Sequence, residues 1–556
     1  MRICLVSNLN LTTWYNSDRE PTMLHLPLGL LSLAAVLEEA GHHVSVLDFN
    51  YAVSQGAVSL DDGFYNAVAD RVQEQSPQLV GFSTMCNSYH IALRMAETAK
   101  ARLPQVPILF GGPQASAVDT ETLEAFPFVD MVLRGEAEQT LPLLLASLEL
   151  NQPPSQVPGL TYRIDGHTVR NPDPPLLKDL DSLPMPAYHL FPYDIRSDLD
   201  LDVGRGCPFA CSFCSTSLFW RRRYRLKSVE RTIEEIQVLR QQYDAESFSF
   251  NHDLFTANRE RVQEFCERLQ AEEMDITWSC AARIDTVDPE LLLLMAAAGC
   301  RNIFYGVETG SPRMQREIQK NLSIDQVWSA VDATVNAEIN ATLSFIAGFP
   351  TERTSDLEQT MGLIQALLKK PRIRIQLHLL APLAGTLDFQ RFESRLRYDG
   401  YHSDAASFFS GLQFLETEWF LDYPKIFCSF HHFETDEVPR SLLCGLDVFV
   451  NVLCSTMRET IRRLLPPQRT LWRLYRGWRE WTDTRDRGAG PVAMQDMDQF
   501  ILDFHDFVAE QVTAGEADFD MGVARDEILA FYLRRYGRLA VLPEVPSESG
   551  KTPSAV

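Results

Sequence analysis

The sequence lacks the apolar segments that direct proteins into or across membranes. Its 556 residues contain no uninterrupted apolar run of the roughly 18 residues that a membrane-spanning helix needs. The start, MRICLVSNLN, has no basic segment followed by an apolar core and a small-residue cleavage site, as a secretory signal would. We therefore expect a soluble, cytoplasmic protein without a membrane partner.

Positive charge is scarce as well. The chain has 51 Lys and Arg residues against 75 Asp and Glu residues, which gives a formal net charge of -24. A surface with this average charge repels the phosphates of nucleic acids, although a local basic patch is compatible with it. We expect no nucleic-acid partner.

Cysteine is too sparse and too unevenly placed for a disulfide framework. Of the 11 cysteines, three fall within residues 207–214 and the others are scattered. Disulfide frameworks belong to small secreted domains with regularly spaced cysteines. The pattern favours a reducing compartment, in which thiols stay available as ligands.

Strands and helices alternate along the first 150 residues. Apolar strand-like segments occur at 2–7, 44–49, 78–83, 107–111 and 129–134, and helical periodicity occurs at 27–41 and 90–103. This alternation predicts an α/β fold in which helices cover both faces of a parallel sheet. We assign residues 1–150 to one domain of this Rossmann-like kind.

The remaining chain divides into four further parts. Residues 151–195 are rich in proline and predict a linker with a small β element at 160–164. A second alternation, of about six strand–helix pairs over residues 196–390, predicts a partial or full barrel of parallel strands. Residues 391–540 predict a mostly helical domain, and 541–556 a disordered tail.

Three cysteines in the segment GRGCPFACSFCS, namely Cys207, Cys211 and Cys214, form the strongest motif. Thiolates are the ligands of iron-sulfur clusters, and three of them leave one iron of a four-iron cube open. The alternatives are a zinc site and chance clustering, but zinc needs a fourth Cys or His at suitable spacing. The nearest downstream histidine, His252, has no paired ligand beside it.

This C-x3-C-x2-C spacing after a strand resembles the radical S-adenosylmethionine (SAM) superfamily. The resemblance implies a 4Fe-4S cluster whose open iron chelates SAM and cleaves it to a 5'-deoxyadenosyl radical. It also implies SAM-contacting residues, although each charged one could instead be a solvated surface group: Phe213 near the adenine, Asp253 near the methionine part, Arg283, Glu308, Lys320 toward the carboxylate, and Ser344 toward the ribose in a loop with Gly348 and Pro350.

The first 150 residues resemble the cobalamin-binding domain that precedes the barrel in class B radical SAM methyltransferases. The resemblance lies in PLGLLSLAAVLEEAGHHVSVLD, VGFSTM, FGGPQAS and VLRGEAEQTL. Ligands of open α/β sheets bind at the carboxyl ends of strands, where glycine loops let the backbone approach a large cofactor. The implied cobalamin contacts are Ser83, Thr84, Gly111, Gly112, Pro113, Gly135 and Glu136.

One element of cobalamin enzymes is missing. The chain contains no Asp-x-His-x-x-Gly motif, which in other families supplies a histidine to the lower face of cobalt. This departure implies a different lower-face environment, near residues 83–87, or a domain that has lost its cofactor.

The two cofactors together imply an enzyme that transfers a methyl group to an unactivated carbon, or to phosphorus, of a metabolite or peptide. An electron donor such as flavodoxin or ferredoxin is the expected protein partner. The first alternative is a cobalamin-dependent radical rearrangement, ring contraction or cyclisation without methyl transfer. The second is a non-catalytic redox or cobalamin-responsive module, against which ligation by three rather than four cysteines argues. The sequence identifies no general acid or base.

Two further patterns are weaker. The basic run WRRRYRLKS at 220–228 could gate the cluster, hold an anionic substrate or cofactor tail, or simply be solvated. Aromatic stretches at 427–433 and 471–481 could line a pocket, but they are more typical of a core. His431 and His432 have no partner carboxylate in the sequence pattern, so we expect no second metal site there.

Overall fold

A computed structural model describes residues 1–9, 25–191, 199–403, 416–465, 470–485, 497–515, 517 and 519–536. The predicted tail at 541–556 lies outside these residues, as do the end of the predicted linker and parts of the predicted helical domain. The description below covers the described ranges alone.

The N-terminal sheet has the strand order β2-β1-β3-β4-β5-β6-β7. Strands β1 to β5 run parallel, which confirms the expected α/β fold, and β6 and β7 are antiparallel additions. The strands are β1 (Arg2–Val6), β2 (His43–Leu47), β3 (Leu79–Ser83), β4 (Ile108–Gly111), β5 (Met131–Leu133), β6 (Leu160–Ile164) and β7 (His167–Arg170). The helices are α1 (Leu28–Glu39), α2 (Phe49–Ser54), α3 (Phe64–Glu74), α4 (Tyr89–Arg102), α5 (Pro113–Ala117), α6 (Asp119–Ala125) and α7 (Thr140–Glu149).

Both faces of this sheet are covered, which explains why its strands are short apolar runs. In β1, Cys4 and Val6 pack into one hydrophobic core while Ile3 and Leu5 pack into another. Successive residues of a strand point to opposite faces, so a strand covered on both sides must be apolar throughout.

Strands β6 and β7 lie inside the segment that the sequence predicts as a linker. The β element at 160–164 is confirmed, but it pairs with β5 and extends the N-terminal sheet past residue 150. The buried guanidinium of Arg134 fixes this extension by donating to the carbonyl oxygens of Gly159 and Asn171. Pairing also covers the edge of β5, whose backbone groups would otherwise lack hydrogen-bond partners.

The second sheet has six parallel strands in the order β15-β14-β13-β12-β11-β8. With β8 and β15 at its two edges, it is a partial barrel. Its strands are β8 (Leu199–Asp202), β11 (Ser247–Asn251), β12 (Thr277–Ala282), β13 (Cys300–Glu308), β14 (Asn340–Ala347) and β15 (Ile373–Leu379), and a separate antiparallel pair is β9 (Gly204–Arg205) with β10 (Arg225–Leu226). The helices are α8 (Thr216–Phe219), α9 (Val229–Tyr243), α10 (Arg259–Ala271), α11 (Pro289–Ala297), α12 (Pro312–Glu317), α13 (Ile324–Asn336) and α14 (Thr354–Leu367).

The C-terminal part is mostly helical, as expected. Its elements are α15 (Leu387–Phe392), β16 (Leu396–Arg397), α16 (Thr417–Asp422), β17 (His432–Phe433), α17 (Arg440–Leu443), α18 (Leu446–Val448), a π-helical turn (Phe449–Leu453), α19 (Cys454–Thr456), α20 (Arg458–Leu464), α21 (Leu471–Asp483), α22 (Met497–Thr513) and α23 (Met521–Tyr536). The aromatic face of α21 is core: Trp472, Tyr475 and Trp478 are buried.

His432 of this region has a carboxylate neighbour that the sequence pattern did not predict. Asp399 Oδ1 lies 3.6 Å from its Nδ1. Within the described ranges no single helix is long and apolar enough to cross a membrane; one pair, Arg440–Thr456 and Arg458–Leu464, meets both criteria together but bends by 103°.

Candidate functional site

A cavity of about 460 Å³ lies where the N-terminal sheet faces the barrel. The N-terminal part of its wall comes from the carboxyl ends of β3, β4 and β5, and the barrel part includes Arg205, Trp220 and Asp253. Six of the seven residues predicted to contact cobalamin line it: Ser83, Gly111, Gly112, Pro113, Gly135 and Glu136.

Thr84, the seventh predicted contact, is not among the cavity-lining residues. It is buried, and its hydroxyl donates to the carbonyl oxygen of Gly111 (2.7 Å) and accepts from the amide of Ala115 (3.0 Å). Its backbone also approaches Gly112 so closely that a Cβ there would lie 2.6 Å from the Thr84 oxygen. The φ of Gly112 is +97°, so glycine is required both for space and for conformation. Thr84 therefore supports the glycine loop from behind.

Glu136 lines the cavity, but protein groups already bind its carboxylate. Arg205 and Arg225 each donate to it at 2.8 Å, and the amide of Leu177 donates at 2.9 Å. Arg205 also donates to Glu138 at 2.6 Å. We call Glu136, Glu138, Arg205 and Arg225 the domain clamp, because it joins the loop after β5 to strands β9 and β10.

The clamp is held away from solvent. Glu136, Glu138 and Arg205 are all buried. Burial alone would raise the pKa of Glu138, but the guanidinium of Arg205 attracts and hydrogen-bonds its carboxylate and holds that pKa below its ordinary value. The Glu138 carboxylate therefore stays ionised in the folded protein.

The three motif cysteines follow β9 and carry free, half-buried thiols. Burial is the main reason that the pKa of Cys207 rises to about 11, and the neighbouring Cys214 and Cys211 add to it. Burial also raises the pKa of Cys211, while Lys320 and Arg283 oppose that rise. The thiols of Cys207 and Cys211 are therefore protonated near neutral pH, and ligation to a metal would release their protons.

The donor set fits a four-iron cluster. In the described part of the chain, no three His, Cys, Asp or Glu side chains converge on one metal-ion position. A cube does not require this, since it binds each thiolate at a different iron. The neighbourhood also supplies the cations that such an anionic cluster needs: Arg283 Nη1 lies 3.9 Å from Cys211 Sγ.

Asp253 follows β11 and faces the cysteine loop. Its carboxylate accepts from the Gly206 amide at 3.2 Å and from Thr216 Oγ1 at 3.0 Å. Burial raises its pKa, and these hydrogen bonds oppose the rise. Asp253 therefore connects the cavity wall to the residue just before Cys207.

Arg283, Lys320 and Glu308 form a connected chain behind Cys211. Glu308 ends β13 and accepts from Lys320 Nζ at 2.8 Å, and Arg283 Nη2 donates to the carbonyl oxygen of Lys320. Burial alone would lower the pKa of Lys320, but Glu308 raises it above the ordinary value. The structure thus brings together three of the predicted SAM contacts.

The last two predicted contacts lie in different places: Ser344 in the barrel sheet and Phe213 in the cysteine loop, directly before Cys214. Ser344 is buried in β14, in register with Gly306 of β13. Phe213 packs edge-on against Phe349, with ring centroids 5.8 Å apart. The Gly348 amide, just before Phe349, donates to Glu352 at 2.7 Å.

Sequence reasoning missed several residues of the site. Arg205 and Glu138 are neighbours of predicted residues in the segments GRGC and GEAE. The only pattern that could have indicated their pairing is that each glycine-rich loop carries a charge opposite to that of the other. His252 and Trp220 line the cavity as well. Burial lowers the pKa of His252 to about 4, so its imidazole is neutral at physiological pH. His252 had no distinguishing pattern, whereas Trp220 begins the basic run at 220–228, which is only a weak signal.

Comparison with known proteins agrees with this geometry. The family model "B12 binding domain" matches residues 20–145, and the model "Radical SAM superfamily" matches residues 201–364. The chain is 32% identical over 346 residues to an uncharacterised methyltransferase of Pyrococcus horikoshii, which covers 61% of this chain and 73% of that protein. The chain belongs to the radical SAM enzymes with a B12-binding domain.

Membership of this family confirms the expected enzyme class and its three cofactors: cobalamin, SAM and a 4Fe-4S cluster. The residues that hold each cofactor stay predictions.

Two more members of the comparison bear on function and fold. An anaerobic magnesium-protoporphyrin IX monomethyl ester cyclase of Rubrivivax gelatinosus is 28% identical over 306 residues, or 53% of this chain and 55% of that protein. The solved structure of the cobalamin-dependent S-adenosylmethionine radical enzyme OxsB with aqua-cobalamin bound superposes with a TM-score of 0.65 and 15% identity, over 96% of this chain and 84% of that one. The fold therefore extends over nearly the whole chain.

Proposed function

We propose that this radical SAM enzyme is a methyltransferase that acts on an unactivated carbon, or on phosphorus, of a small molecule. The observation that supports it is the shared cavity, in which the glycine loops of the B12-binding domain and Asp253 beside the cysteine loop line one space. A methyl donor and a radical-generating centre that meet in one cavity can serve the same substrate atom. The relative from Pyrococcus horikoshii, named a methyltransferase, agrees with this choice.

When bound, the cofactors supply a methyl group and a carbon radical, and the protein supplies position and environment. Cys207, Cys211 and Cys214 would hold the cluster. Arg283 contributes positive charge beside Cys211, and the Lys320–Glu308 pair next to it would bind the charged end of SAM.

Much of the cavity wall is apolar, including Leu5, Leu28, Leu30, Leu33 and Leu141. An apolar wall would help to protect a reactive radical from side reactions with solvent. We further propose a one-electron donor such as flavodoxin or ferredoxin as the protein partner.

A radical rearrangement or cyclisation without methyl transfer is the second candidate. The relative from Rubrivivax gelatinosus, named a cyclase, favours it. The product mass separates the two candidates, because methyl transfer adds one CH2 and rearrangement adds nothing.

The test is anaerobic turnover of protein reconstituted with iron, sulfide and hydroxocobalamin, given SAM and a small-molecule library. Methyl transfer predicts 5'-deoxyadenosine and S-adenosylhomocysteine in similar amounts and a product heavier by one CH2. The Cys214→Ala variant should form no deoxyadenosine. Deoxyadenosine from the unaltered enzyme without S-adenosylhomocysteine or a mass gain would reject methyl transfer in favour of rearrangement.

A further inference from the structure

Three consecutive arginines, Arg221, Arg222 and Arg223, form an exposed patch that we call the arginine strap. No ion pair or side-chain hydrogen bond joins any of the three to another residue in the ranges that the structure describes. An unneutralised triplet stands out in a chain with a net charge of -24, because acidic side chains are abundant. The strap is therefore a local site of positive potential on an acidic surface.

The backbone holds the strap in an uncommon conformation. Arg221 and Arg222 have φ angles of +50° and +54°, the left-handed region that residues with a Cβ seldom adopt. The amides of the three arginines donate to the carbonyl oxygens of Leu218, Ser217 and Trp220 at 3.1, 3.0 and 2.9 Å. A segment fixed in this way presents its side chains from a defined position.

That position is directly against the cysteine loop. A Cβ on Gly206 would lie 2.0 Å from the carbonyl oxygen of Arg223 and 2.9 Å from Trp220 Cβ. Only glycine allows this approach, and Gly206 immediately precedes Cys207. Whatever binds the strap therefore lies beside the predicted cluster.

The strap does not belong to the cavity. Trp220 lines it, but none of the three arginines does. An anionic substrate or cofactor tail inside the cavity would meet the lining residues, whereas the exposed guanidinium groups face a partner that approaches from outside.

We infer that the arginine strap is the docking surface for an acidic one-electron carrier protein, an inference that rests on the proposed function. The carrier would lose one electron and the cluster would gain it, and no other reactant is needed. Negative charge over the rest of the chain disfavours docking elsewhere, so the strap would fix where an acidic protein binds and how it is oriented. Nucleic acid is a poorer candidate for the strap. Its phosphates would extend beyond the three arginines onto the acidic surface of the protein, which repels them.

The direct test is binding of an acidic flavodoxin to the reconstituted protein, followed by titration calorimetry over about 0.05 to 0.3 M salt. Changing Arg221→Glu, Arg222→Glu and Arg223→Glu together should weaken binding about tenfold or more at low salt and flatten its salt dependence. The corresponding Arg→Gln triple variant should bind flavodoxin with an affinity between those of the unaltered protein and the Arg→Glu variant, because it removes positive charge without adding negative charge.

A matched control lies at the opposite end of the barrel. Lys369→Glu, Arg372→Glu and Arg374→Glu make the same change in net charge near the start of β15, while the cysteine loop lies at the carboxyl end of the sheet. Arg372 shares the left-handed backbone, with φ of +58°. This variant should bind flavodoxin within about twofold of the unaltered protein, since docking depends on the strap and not on overall charge.

A rate measurement separates docking from chemistry. With reduced flavodoxin as donor, the strap variant should form 5'-deoxyadenosine with a raised KM for flavodoxin, whereas with dithionite its rate should match the unaltered enzyme. Equal flavodoxin affinity of the strap variant and the control would overturn the inference, and so would strap-dependent binding to anionic vesicles without binding to flavodoxin. Absence of deoxyadenosine from the unaltered enzyme with dithionite would instead count against the proposed function.

Discussion

At the residue scale, Glu352 is a buried carboxyl group of the barrel whose pKa is strongly raised. It is fully buried, accepts from the Gly348 amide, and has one carboxyl oxygen without a hydrogen-bond partner among the described residues. Burial, with a smaller contribution from Asp356, raises its pKa from 4.5 to about 8. The carboxyl group is therefore mainly protonated near pH 7.

This shift predicts a pH-dependent stability. Between pH 4.5 and about 8 the unfolded chain releases the Glu352 proton while the folded chain keeps it, so the free energy of unfolding falls as pH rises. Glu352→Gln is neutral at every pH and should become progressively more stable than the unaltered protein across that window. Urea midpoints of both proteins at several pH values measure the difference. A constant difference would contradict a raised pKa.

The cysteine loop gives a second residue-scale prediction. Replacing Cys207, Cys211 and Cys214 together with alanine should reduce bound iron after anaerobic reconstitution from about four atoms per chain to almost none, because each thiolate holds one iron. Cys444→Ala, which removes another partly exposed thiol, is the control and should keep full iron content. Iron analysis and the absorption band of the cluster report the result; full iron in the triple variant would refute the cysteine assignment.

Much of the site was predictable because chemistry restricts residue type. Cysteine spacing and glycine loops identified the cysteine loop and the glycine-rich part of the cavity wall. The role of Glu136 was not predictable, since its partners Arg205 and Arg225 lie about 70 and 90 positions away in the chain. Thr84 is adjacent to Ser83, which lines the cavity, but it faces the back of the loop. Which of two neighbouring side chains faces a cavity depends on the geometry of the turn, which the sequence does not specify.

At the element scale, the parallel strands of both sheets were predictable from short apolar or alternating segments between helices, whereas β7 lies inside the predicted linker and was missed. Helix α3 was missed although its buried residues, Phe64, Val68 and Val72, are spaced four apart. The stretch 440–465 carries apolar residues throughout and predicts one element, but Gly445 at φ +85° and the π-helical turn break it. Such breaks depend on tertiary packing, and the periodicity of apolar residues gives no information about it.

The sheet extension gives the element-scale prediction. A fragment ending at residue 150 leaves β5 as an exposed edge and removes the acceptors of Arg134, whereas one ending at residue 180 keeps β6, β7 and Leu177. The shorter fragment should be digested faster by trypsin and bind hydroxocobalamin more weakly, by about tenfold or more for a disturbed glycine loop. Equilibrium dialysis and limited proteolysis compare the two. Equal digestion rates and equal hydroxocobalamin affinities of the two fragments would show that β6 and β7 do not stabilise the domain.

At the scale of the whole molecule, the domain clamp determines how the two halves meet. Glu138→Gln leaves Arg205 buried with fewer counter-charges, and breaking a buried ion pair from one side costs about 3 kcal/mol. We expect a lower melting temperature and weaker hydroxocobalamin binding. Glu97→Gln, which alters an exposed ion pair with Arg94, should change neither. Identical melting curves for the Glu138 variant and the unaltered protein would show that the clamp does not contribute to stability.

The clamp also limits how such proteins can be recombined. Arg205 and Arg225 belong to the barrel side, while Glu136 and Glu138 belong to the B12-binding side, and each pair is buried against the other. A chimera that joins this barrel to a B12-binding domain without acids at those two positions would enclose unmatched cations. The B12-binding domain and the barrel therefore cannot be exchanged independently between such proteins. A successful exchange must transfer the two glutamates and the two arginines together.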